Sequence, residues 1–447
     1  MTECAQQRNK EKNYYIISYG CQMNQYDSEC LAGQLGAAGY LCTEDPEKAD
    51  IILINTCCVR ESAEKKIYGK IGEFKRLKTA NPSLIIGIAG CMAQKDQAAI
   101  FKKAPHVDIV LGTHNINQLL DLVQEKQSHN EKILAVDNAV KRSTLDIPAA
   151  RNGQISAWVP IMYGCNNFCT YCIVPYVRGR EQSRPADDIL KEMKELAQRG
   201  FKEVTLLGQN VNSYGKDAGS STDFADLLSV IDKESGIERI RYMTSHPRDI
   251  NDKVLSAIKE SRHICEHFHL PVQSGSNAIL KAMNRGYTTE EYRSLIHKIR
   301  TIFPDSALTT DLIVGFPGET DELFEETLQF VNSIRFDASY TFLYSPRSGT
   351  PAATMSAQVP EKIKKERLNR LMLVQNDISL DINKKLEGSC LEVLVEGPSK
   401  NDQDTVTGRT RTNKIVLWKK TGQDIPGSLA HIIITHAQTW VLKGERC

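Results

Sequence analysis

The sequence predicts an α/β protein in three parts: an N-terminal parallel α/β sheet domain, a central partial (β/α)6 barrel and a C-terminal small antiparallel β-barrel. Three observations carry this prediction. Strand and helix patterns alternate through the first part, six more strand candidates separated by helical patterns follow, and only short β-rich runs remain after a long helix. The predicted boundaries of the three parts are 13–145, 156–382 and 383–447.

Composition narrows the class of protein before any motif is considered. The chain has 447 residues, of which 41% are hydrophobic and 25% charged, as in an ordinary globular protein. It has no apolar stretch of about 18 residues and no apolar secretory signal, so we expect a cytoplasmic protein without a membrane span. Thirteen cysteines then favour metal or redox chemistry over a disulfide framework. Because the net charge is only +1, any RNA site must be a local patch.

The first part places a cysteine after each of three predicted strands. The strands are 14–20, 50–55 and 83–89, and the helices between and after them are 28–38, 61–80 and 95–103. Cys21, Cys57 and Cys91 follow the three strands in turn. Ligands bind at the carboxyl ends of parallel strands, so the three thiols should meet at one edge of the sheet and could hold a metal cluster. The alternative is that they are ordinary buried thiols.

The second part follows a polar stretch, 127–155, that reads as loops or a linker. Its six strand candidates are 158–163, 203–208, 239–244, 267–272, 307–314 and 338–344. Helical patterns such as 186–199, 289–302 and 321–333 separate them. Six units are too few for a closed (β/α)8 barrel, so an open partial barrel is expected, with a mouth wide enough for a macromolecule.

The most informative motif lies directly after the first of these strands. Cys165, Cys169 and Cys172 have the spacing Cys-x3-Cys-x2-Cys. A closed zinc site or an electron-transfer four-iron cluster needs four ligands, whereas three thiolates on a four-iron cluster leave one iron open for a substrate or cofactor. The alternative is a zinc or dithiol Cys-x-x-Cys pair, but the next His and Cys downstream are His246 and Cys265.

The third part begins after a predicted helix over 360–386. Its apolar residues recur at three and four positions and form one face: Leu368, Leu371, Val374, Ile378, Ile382 and Leu386. The short runs 391–395, 405–408, 414–418, 431–435 and 440–443 then predict a small antiparallel β-barrel. It carries basic residues around Trp418 that suit an RNA backbone, or that simply form a solvated face: Arg409, Arg411, Lys414, Lys419 and Lys420.

Four strings identify a family resemblance that covers nearly the whole chain. They are YGCQMN at 19–24, NTCCVRESAE at 55–64, GCMAQ at 90–94 and CNNFCTYCIVPYVRGRE at 165–181. The chain resembles the radical S-adenosylmethionine methylthiotransferases, whose last domain is the RNA-binding TRAM module. Arg60-Glu61 and the RGRE string at 178–181 are most similar to the branch that modifies isopentenyladenosine in tRNA. They are less similar to the branches that act on threonylcarbamoyl-adenosine in tRNA or on an aspartate of a ribosomal protein.

This resemblance implies two four-iron clusters. Cys165, Cys169 and Cys172 would hold the radical-SAM cluster, and Cys21, Cys57 and Cys91 an auxiliary cluster whose open iron carries the sulfur to be inserted. Cys58 stands where relatives carry Ala or Ser. Neighbouring side chains of a strand point in opposite directions, so only one of the pair should face the cluster, and we keep Cys57.

The implied reaction is methylthiolation of C2 of N6-isopentenyladenosine next to the anticodon of tRNA. The barrel cluster would cleave S-adenosylmethionine to a 5′-deoxyadenosyl radical, because the C2 hydrogen is not acidic enough for a base to remove. A second S-adenosylmethionine would supply the methyl group, so two are used per turnover. The implied partners are the tRNA anticodon stem-loop and a low-potential electron donor such as flavodoxin or ferredoxin. The protein itself is expected to be a monomer.

Three alternatives stay open at this point. The substrate could be that of another branch of the family, the reaction could be sulfur insertion without methyl transfer, or the protein could be an iron–sulfur protein that binds tRNA without chemistry. Three cysteines in each set, leaving an open iron, argue against the non-catalytic alternative.

The resemblance also implies contacts to S-adenosylmethionine at strand ends, where barrel residues tend to be functional. The predicted residues are Tyr171, Gln209, Asn210, Ser245, Gln273, Arg285 and Asp311. Tyr171 could instead be a packing residue and Arg285 part of a surface ion pair. His267 and His269 share one face of a strand and are interpreted as packed side chains rather than ligands. The six remaining cysteines receive no role: Cys4, Cys30, Cys42, Cys265, Cys390 and Cys447.

Overall fold

The computed structural model describes residues 11–58, 61–137, 149–151, 155–217 and 222–447, with the backbone alone at 61–65. The chain divides into two compact units. The first comprises Met1–Asn152 together with Ile173–Gly179, and the second comprises Gly153–Cys172 together with Arg180–Cys447. Each unit is therefore assembled from two separate stretches of the sequence.

The first unit contains a six-stranded parallel sheet. Its strands are β1 (Asn13–Ser18), β2 (Leu41–Cys42), β3 (Ile51–Thr56), β4 (Ile85–Gly90), β5 (Ile109–Leu111) and β6 (Ile133–Ala135). They lie in the order β2-β1-β3-β4-β5-β6, and every neighbouring pair is parallel. All residues of the central strands β3 and β4 are buried, which explains why both are rich in apolar residues.

The helices of this unit differ from the prediction at two places. They are α1 (Gln22–Ala37), α2 (Glu61–Ala80), α3 (Cys91–Asp96), α4 (Ala99–Lys103), α5 (Leu119–Ser128) and α6 (Val174–Val177). The predicted helix 28–38 begins six residues earlier, directly after Cys21. The predicted helix 95–103 is two short helices, because Gln97 between them has a positive φ of 47°.

The predicted linker 127–155 is partly wrong. Helix α5 ends inside it at Ser128, and strand β6 lies inside it as well. A strand of three residues is too short to show periodicity, so β6 was not predicted from the sequence. Strands β2 and β5 were not predicted for the same reason. The predicted boundary at residue 145 and the positions 138–148 and 152–154 lie outside the described residues, as does Arg60.

The second unit begins with the predicted partial barrel. Its strands are β7 (Ser156–Pro160), β8 (Met162–Tyr163), β9 (Gln182–Ser183), β10 (Glu203–Leu207), β11 (Arg239–Tyr242), β12 (His267–His269), β13 (Ala307–Val314) and β14 (Ala338–Leu343). Two parallel sheets, β7-β10-β11 and β12-β13-β14, are joined by a bridge between Ile240 and Ile264. Among the described residues β7 and β14 each pair with one strand only, so the barrel is open. The predicted strand 158–163 is divided, because Met162 and Tyr163 pair with β9 in a hairpin.

Seven helices of the second unit follow the strand ends. They are α7 (Ala186–Gln198), α8 (Phe224–Glu234), α9 (Asp252–Glu260), α10 (Asn277–Ala282), α11 (Thr289–Ile302), α12 (Asp321–Ile334) and α13 (Glu361–Lys384). Local sequence explains their starts: Thr288 and Glu291 form a capping box at α11, and Thr320 caps α12. Within the described residues, no helix is both long and apolar enough to cross a membrane.

The chain ends in a closed five-stranded barrel, with one departure from the predicted antiparallel arrangement. Its strands are β15 (Cys390–Ser399), β16 (Asp402–Thr410), β17 (Ile415–Lys419), β18 (Leu429–Ala437) and β19 (Val441–Arg446). The pair β17 and β19 is parallel, and the other four pairs are antiparallel. Leu371 and Ile378 of α13 pack into the core of the partial barrel, and Leu386 packs against the core of the small barrel.

Two features of the small barrel differ from what the sequence suggested. Trp418 is buried in the barrel core and donates its indole N–H to Asp424 Oδ1 at 3.0 Å, so it is not an exposed aromatic residue. Cys390 and Cys447 form a disulfide, although no disulfide was expected. They meet because β15 and the chain end both neighbour β18, with Cys447 N bonded to His431 O, a closure that residue spacing does not reveal.

Candidate functional site

The three cysteines of the first unit lie at the carboxyl edge of its sheet, as strand order requires. Cys21 follows β1 and precedes α1, Cys57 directly follows β3, and Cys91 is the first residue of α3 after β4. Cys57 and Cys91 are buried, whereas Cys21 is exposed. Strands β1, β3 and β4 are neighbours in the sheet, so the topology brings these residues to one edge.

Two glycines allow the cysteine-bearing turns to approach the end of β3. Gly20 has a φ of 144°, and a Cβ built there would lie 2.7 Å from the Cβ of Cys57. Gly90 has a φ of 90°, and a Cβ there would lie 2.5 Å from the carbonyl oxygen of Thr56. Both positions therefore exclude any larger residue, and the turns before Cys21 and Cys91 both pack on the end of β3.

Two buried asparagines fix this edge, and the sequence reasoning assigned neither a role. Asn55 Nδ2 donates to Asn24 O at 2.7 Å, and Asn24 Nδ2 donates to Asn55 Oδ1 and to Thr56 O, both at 3.2 Å. The Cys21 thiol lies 3.4 Å from Asn24 Oδ1. These bonds tie the first turn of α1 to β3, so the position of Cys21 is set by the sheet.

Cys57 and Cys58 face different neighbours. The Cβ of Cys57 lies beside Gly20, while Cys58 is fully buried with Cys91, Ile173 and Val177. A hydrogen bond between Cys58 and Cys91 raises the pKa of the Cys58 thiol and lowers the pKa of Cys91 to about 6. The side chains thus diverge as the strand geometry predicts, with Cys57 towards the Cys21 turn and Cys58 towards Cys91.

A buried ion pair that the sequence reasoning missed adjoins these thiols. Arg178 Nη2 donates to Asp27 Oδ2 at 2.7 Å, and both side chains are almost fully buried. The charge of Arg178 acts on Cys21 and on Cys91, whose pKa it helps to lower. The segment that carries Arg178 is held by Thr113, whose hydroxyl contacts Val177 O at 2.5 Å.

The loop of Cys165, Cys169 and Cys172 in the second unit is held by polar contacts on two sides. Asn166 N donates to Glu181 Oε1 at 3.2 Å, which fixes the first half of the loop. Thr170 N donates to Met283 O at 3.1 Å, which fixes the second half. Burial raises the pKa of the Cys165 thiol to about 11. The loop is thus shaped by residues well downstream of its own sequence.

Arg285 lies at this loop and not on the surface. It is buried, and its guanidinium lies 3.3 Å from Cys169 Sγ through Nη1 and 2.7 Å from Pro271 O through Nη2. The surface-ion-pair alternative for Arg285 is therefore wrong. Tyr171 packs beside Met283 and Phe316 in a small apolar cluster, and burial raises its pKa well above the usual value.

The residues predicted at strand ends gather at the carboxyl ends of β10 to β13. Asn210 joins two of these ends: its Nδ2 donates to Asp249 Oδ2 at 2.7 Å, and its Oδ1 accepts from His246 N at 2.9 Å. Gln209 precedes Asn210 in the same turn. Gln273 N donates to Asp311 O at 2.9 Å, which links the ends of β12 and β13.

Several buried polar atoms at the same strand ends have no partner within the described residues and are open to a polar ligand or to water. Ser245 Oγ, His246 Nε2 and both side-chain polar atoms of Asn212 have no hydrogen-bond partner among the residues that the structure describes. Such groups are costly to bury unless a ligand or water satisfies them. Asn212 and His246 were not predicted as site residues, and nothing in the residue spacing singles them out.

His267 and His269 are packed side chains, as expected. Both rings contact Thr309 Oγ1, at 2.9 and 3.0 Å. His269 Nε2 also lies 3.6 Å from Asp311 Oδ1. Burial lowers the pKa of His267 well below its usual value, so this ring is neutral at neutral pH.

Three of the five predicted RNA-binding residues make contacts within the second unit. Arg411 pairs with Glu266 at 2.8 Å and Lys414 with Asp337 at 2.7 Å, so both hold the small barrel to the partial barrel. Arg409 pairs with Glu396 at 2.8 Å. All five residues stay predicted RNA contacts, and Lys419 and Lys420 are the two of them whose side chains are exposed.

No three His, Cys, Asp or Glu side chains of the described residues converge as ligands of one metal ion would. The cysteines of a four-iron cluster each bind a different iron, so they need not converge in this way. Two sets of three thiols, each built on the carboxyl side of a parallel sheet, fit such clusters. The partnerless polar atoms beyond β10 and β11 fit a polar cofactor at the barrel end.

Comparison with known proteins finds three family models along the chain. They are the Uncharacterized protein family UPF0004 over residues 13–112, the Radical SAM superfamily over 159–331 and the TRAM domain over 384–446. Among solved structures, a radical S-adenosylmethionine methyltransferase, TsrM from Kitasatospora setae, with cobalamin and a 4Fe–4S cluster bound, matches with a TM-score of 0.56 at 13% identity, covering 77% of each chain. This likeness concerns the fold alone.

Relatives with curated names match over almost the whole chain. The tRNA-2-methylthio-N(6)-dimethylallyladenosine synthase of Desulforamulus reducens is 53% identical over 98% of this chain and 96% of its own length. The protein of the same name from Carboxydothermus hydrogenoformans is 51% identical over 97% and 99%. That from Thermoanaerobacter pseudethanolicus is 52% identical over 100% and 95%.

Proposed function

The chain belongs to the tRNA-2-methylthio-N(6)-dimethylallyladenosine synthases, a family of radical S-adenosylmethionine enzymes, and we propose on this premise that it methylthiolates C2 of N6-isopentenyladenosine next to the anticodon of tRNA. The observation that carries the proposal is the presence of two separate three-cysteine sets in a chain that matches these synthases end to end. Iron–sulfur and S-adenosylmethionine chemistry is common to this superfamily, and the proposed substrate follows from the relatives' names.

We assign one four-iron cluster to Cys165, Cys169 and Cys172 and an auxiliary one to Cys21, Cys57 and Cys91. When bound, the two clusters supply the electron for radical formation and the sulfur for insertion. The protein's part is to hold each cluster by three thiolates, which leaves one iron open. Asn24 and Asn55 hold the Cys21 turn in place, and Glu181 and Arg285 hold the Cys165–Cys172 loop.

We place S-adenosylmethionine at the carboxyl ends of β10 to β13, with two molecules used per turnover. The buried atoms of Ser245, His246 and Asn212 that lack partners in the described chain would be satisfied by its polar groups. Arg285 is a candidate for its carboxylate and Tyr171 for its adenine. Gln209, Asn210, Gln273 and Asp311 complete the proposed site. Three functional regions follow: 13–145 for the auxiliary cluster, 156–382 for the radical step and 383–447 for RNA.

The test is an anaerobic assay with a matched pair of cysteine variants. Protein reconstituted with iron and sulfide receives dithionite, S-adenosylmethionine and an anticodon stem-loop carrying N6-isopentenyladenosine, and the nucleosides are analysed by mass spectrometry. We expect a 2-methylthio product with the parent and with Cys265→Ala, which removes a buried thiol outside the site, and none with Cys169→Ala.

The assay also separates the alternatives. If the parent forms 5′-deoxyadenosine without a methylthio product, while a stem-loop with threonylcarbamoyl-adenosine is modified, the substrate assignment is wrong. A 2-thio product without the methyl group would contradict the methyl transfer. If neither product forms in protein that carries two clusters, the enzymatic proposal fails.

A further inference from the structure

Each three-cysteine site has one buried arginine beside its cysteines. In the second unit this is Arg285, 3.3 Å from Cys169 Sγ. In the first unit it is Arg178, whose neighbour Val177 packs against Cys91 and whose charge acts on Cys91 and Cys21. Arg178 has no role in the proposed site so far, although it occupies the thiol-bearing edge of the sheet.

We propose that Arg178 is a positioning residue that sets the charge balance and the reduction potential of the auxiliary cluster. This inference rests on the proposed function, because it takes Cys21, Cys57 and Cys91 as cluster ligands. Hydrogen bonds to ligand sulfurs and nearby charge are principal controls of the potential of an iron–sulfur cluster. Arg178 supplies such a charge, since its guanidinium is always protonated.

The contacts of Arg178 fix the orientation of its guanidinium group. Asp27 Oδ2 accepts from Nη2 at 2.7 Å, which holds one side of the planar guanidinium in place. The backbone next to Arg178 is held by the contact of Thr113 with Val177 O, and Val177 itself packs against Cys58 and Cys91. A carboxylate that orients a group beside a metal ligand is a common outer-shell arrangement in metal sites.

The charges predict opposite effects for the two members of the pair. Three thiolates on a four-iron cluster carry net negative charge, and reduction adds one more electron. The positive guanidinium stabilises the reduced form, so its loss should shift the potential to more negative values. Removing the negative charge of Asp27 leaves Arg178 less neutralised, so that change should shift the potential to more positive values. A purely structural role of the pair predicts no such reversal of sign.

The first unit also offers a matched control. Arg151 forms a second buried ion pair, with Glu29 at 2.7 Å, and its guanidinium lies 5.1 Å from the ring centroid of Tyr26. Losing this pair removes a buried guanidinium of the same kind without touching the thiol edge. The variants R178M and R151M should therefore destabilise the unit to a similar degree and differ only at the cluster.

The experiment measures the potential of the auxiliary cluster alone. The full-length protein carries Ala at Cys165, Cys169 and Cys172, is loaded with iron and sulfide, and is titrated under EPR. We expect R178M to shift the potential negative by at least about 59 mV, which is a tenfold change in a one-electron equilibrium. We expect R178K to stay close to the parent, D27N to shift positive, and R151M to leave the potential unchanged.

The outcomes separate this inference from the proposed function. Equal potentials in R178M, R151M and the parent overturn the role of Arg178 while leaving the cluster assignment intact. Loss of the cluster in R178M with retention in R178K and R151M supports the role of the charge, whereas equal loss in R178K overturns it. If the parent with intact Cys21, Cys57 and Cys91 binds no cluster, the auxiliary-cluster assignment falls, and this inference falls with it.

Discussion

At the scale of single residues, the adjacent thiols Cys57 and Cys58 offer two ways to complete the auxiliary site. Cys57 lies against Gly20, next to Cys21, at the end of β3. Cys58 is fully buried in an apolar cluster and hydrogen-bonds Cys91. Cys91, a proposed ligand, lies in the same cluster, so burial does not decide between the two residues. The Cβ of Cys57 lies against the Cys21 turn, and on that contact we assign Cys57 as the ligand.

Replacing these cysteines one at a time should give unequal results. We expect Cys57→Ala to lower the iron content of reconstituted protein to that of a single four-iron cluster, because a ligand is lost. Cys58→Ala should keep the iron of two clusters and lose only the packing of one buried thiol. Iron and sulfide analysis together with Mössbauer spectroscopy measures the number of clusters in each variant. Full iron in Cys57→Ala and loss in Cys58→Ala would exchange the two roles.

Sequence reasoning reached the cysteines of this edge but not the groups that hold them. The ends of parallel strands meet at one edge, so three thiols after three strands could be grouped without coordinates. The pairing of Arg178 with Asp27 spans 151 positions, and no local pattern links the two. The bonds between Asn24 and Asn55 likewise depend on how α1 packs on β3, which is a property of the folded sheet.

At the scale of elements, buried arginines of β11 join the partial barrel to the small barrel within the second unit. Arg241 pairs with Glu203 at 2.7 Å and donates to the carbonyl oxygens of Thr410 and Arg411. Arg239 donates to Arg409 O at 2.7 Å. The turn after β16 is thus anchored by charged donors from a strand of the other barrel.

Breaking this anchor should be far more costly than breaking an exposed ion pair. We expect Arg241→Met to lower the free energy of unfolding by about 3–5 kcal/mol, because Glu203 is left buried without its partner. Lys194→Met, which removes an exposed pair with Glu234, should cost less than about 1 kcal/mol. Urea titrations of both variants decide the point. Equal losses would mean that the buried contacts of Arg241 stabilise the fold no more than an exposed ion pair does.

Strand β17 ends at two exposed lysines, Lys419 and Lys420, that are predicted RNA contacts. If Lys419 and Lys420 each contact a phosphate, K419A/K420A should weaken tRNA binding and reduce the slope of log affinity against log salt by about 1.4 to 1.8. The control K233A/K259A removes two exposed lysines from α8 and α9 and should leave the slope unchanged. Binding isotherms at several salt concentrations provide the slopes, and identical slopes in both double variants would exclude these lysines from the RNA contact.

Element prediction succeeded where a segment is long and failed where it is short. The longer strands of the partial barrel and the helix α13 have enough apolar positions to reveal their period. The three-residue β12 was predicted because a buried apolar run continues past it to Val272. Strands β2, β5 and β6 have two or three residues each and no readable period. The prediction for Trp418 as a surface aromatic residue was wrong for another reason. Alternation along a barrel strand places every second residue inside, and the neighbouring Lys419 and Lys420 suggested the wrong face.

At the scale of the whole molecule, buried histidines predict a dependence of stability on pH. Burial, with a further contribution from Arg178, lowers the pKa of His114 to about 4. The unfolded chain binds this proton below about pH 6.5, whereas the folded chain binds it only near pH 4. The contribution of neutral His114 to stability is therefore complete above pH 6.5 and is lost as the pH falls towards 4.

Replacing His114 should remove this part of the pH dependence. Between about pH 5 and 6 we expect the slope of unfolding free energy against pH to fall by about 1 kcal/mol per pH unit in His114→Gln. The exposed His431→Gln should keep the slope of the parent. Urea titrations of apoprotein across this range compare slopes, so a uniform loss of stability in the variant does not interfere. An unchanged slope in His114→Gln would contradict the depressed pKa.

The division of the first unit between two stretches of chain has a consequence for protein synthesis. Asp27 emerges from the ribosome long before Ile173–Gly179, the stretch that contains Arg178. Until then the nascent sheet carries a carboxylate at a buried position without its partner, so the unit cannot reach its final stability. A fragment that stops at residue 152 stays in that condition permanently. The N-terminal region is therefore not a transferable module, and a recombinant piece of it has to include the later stretch, in cis or as a separate peptide.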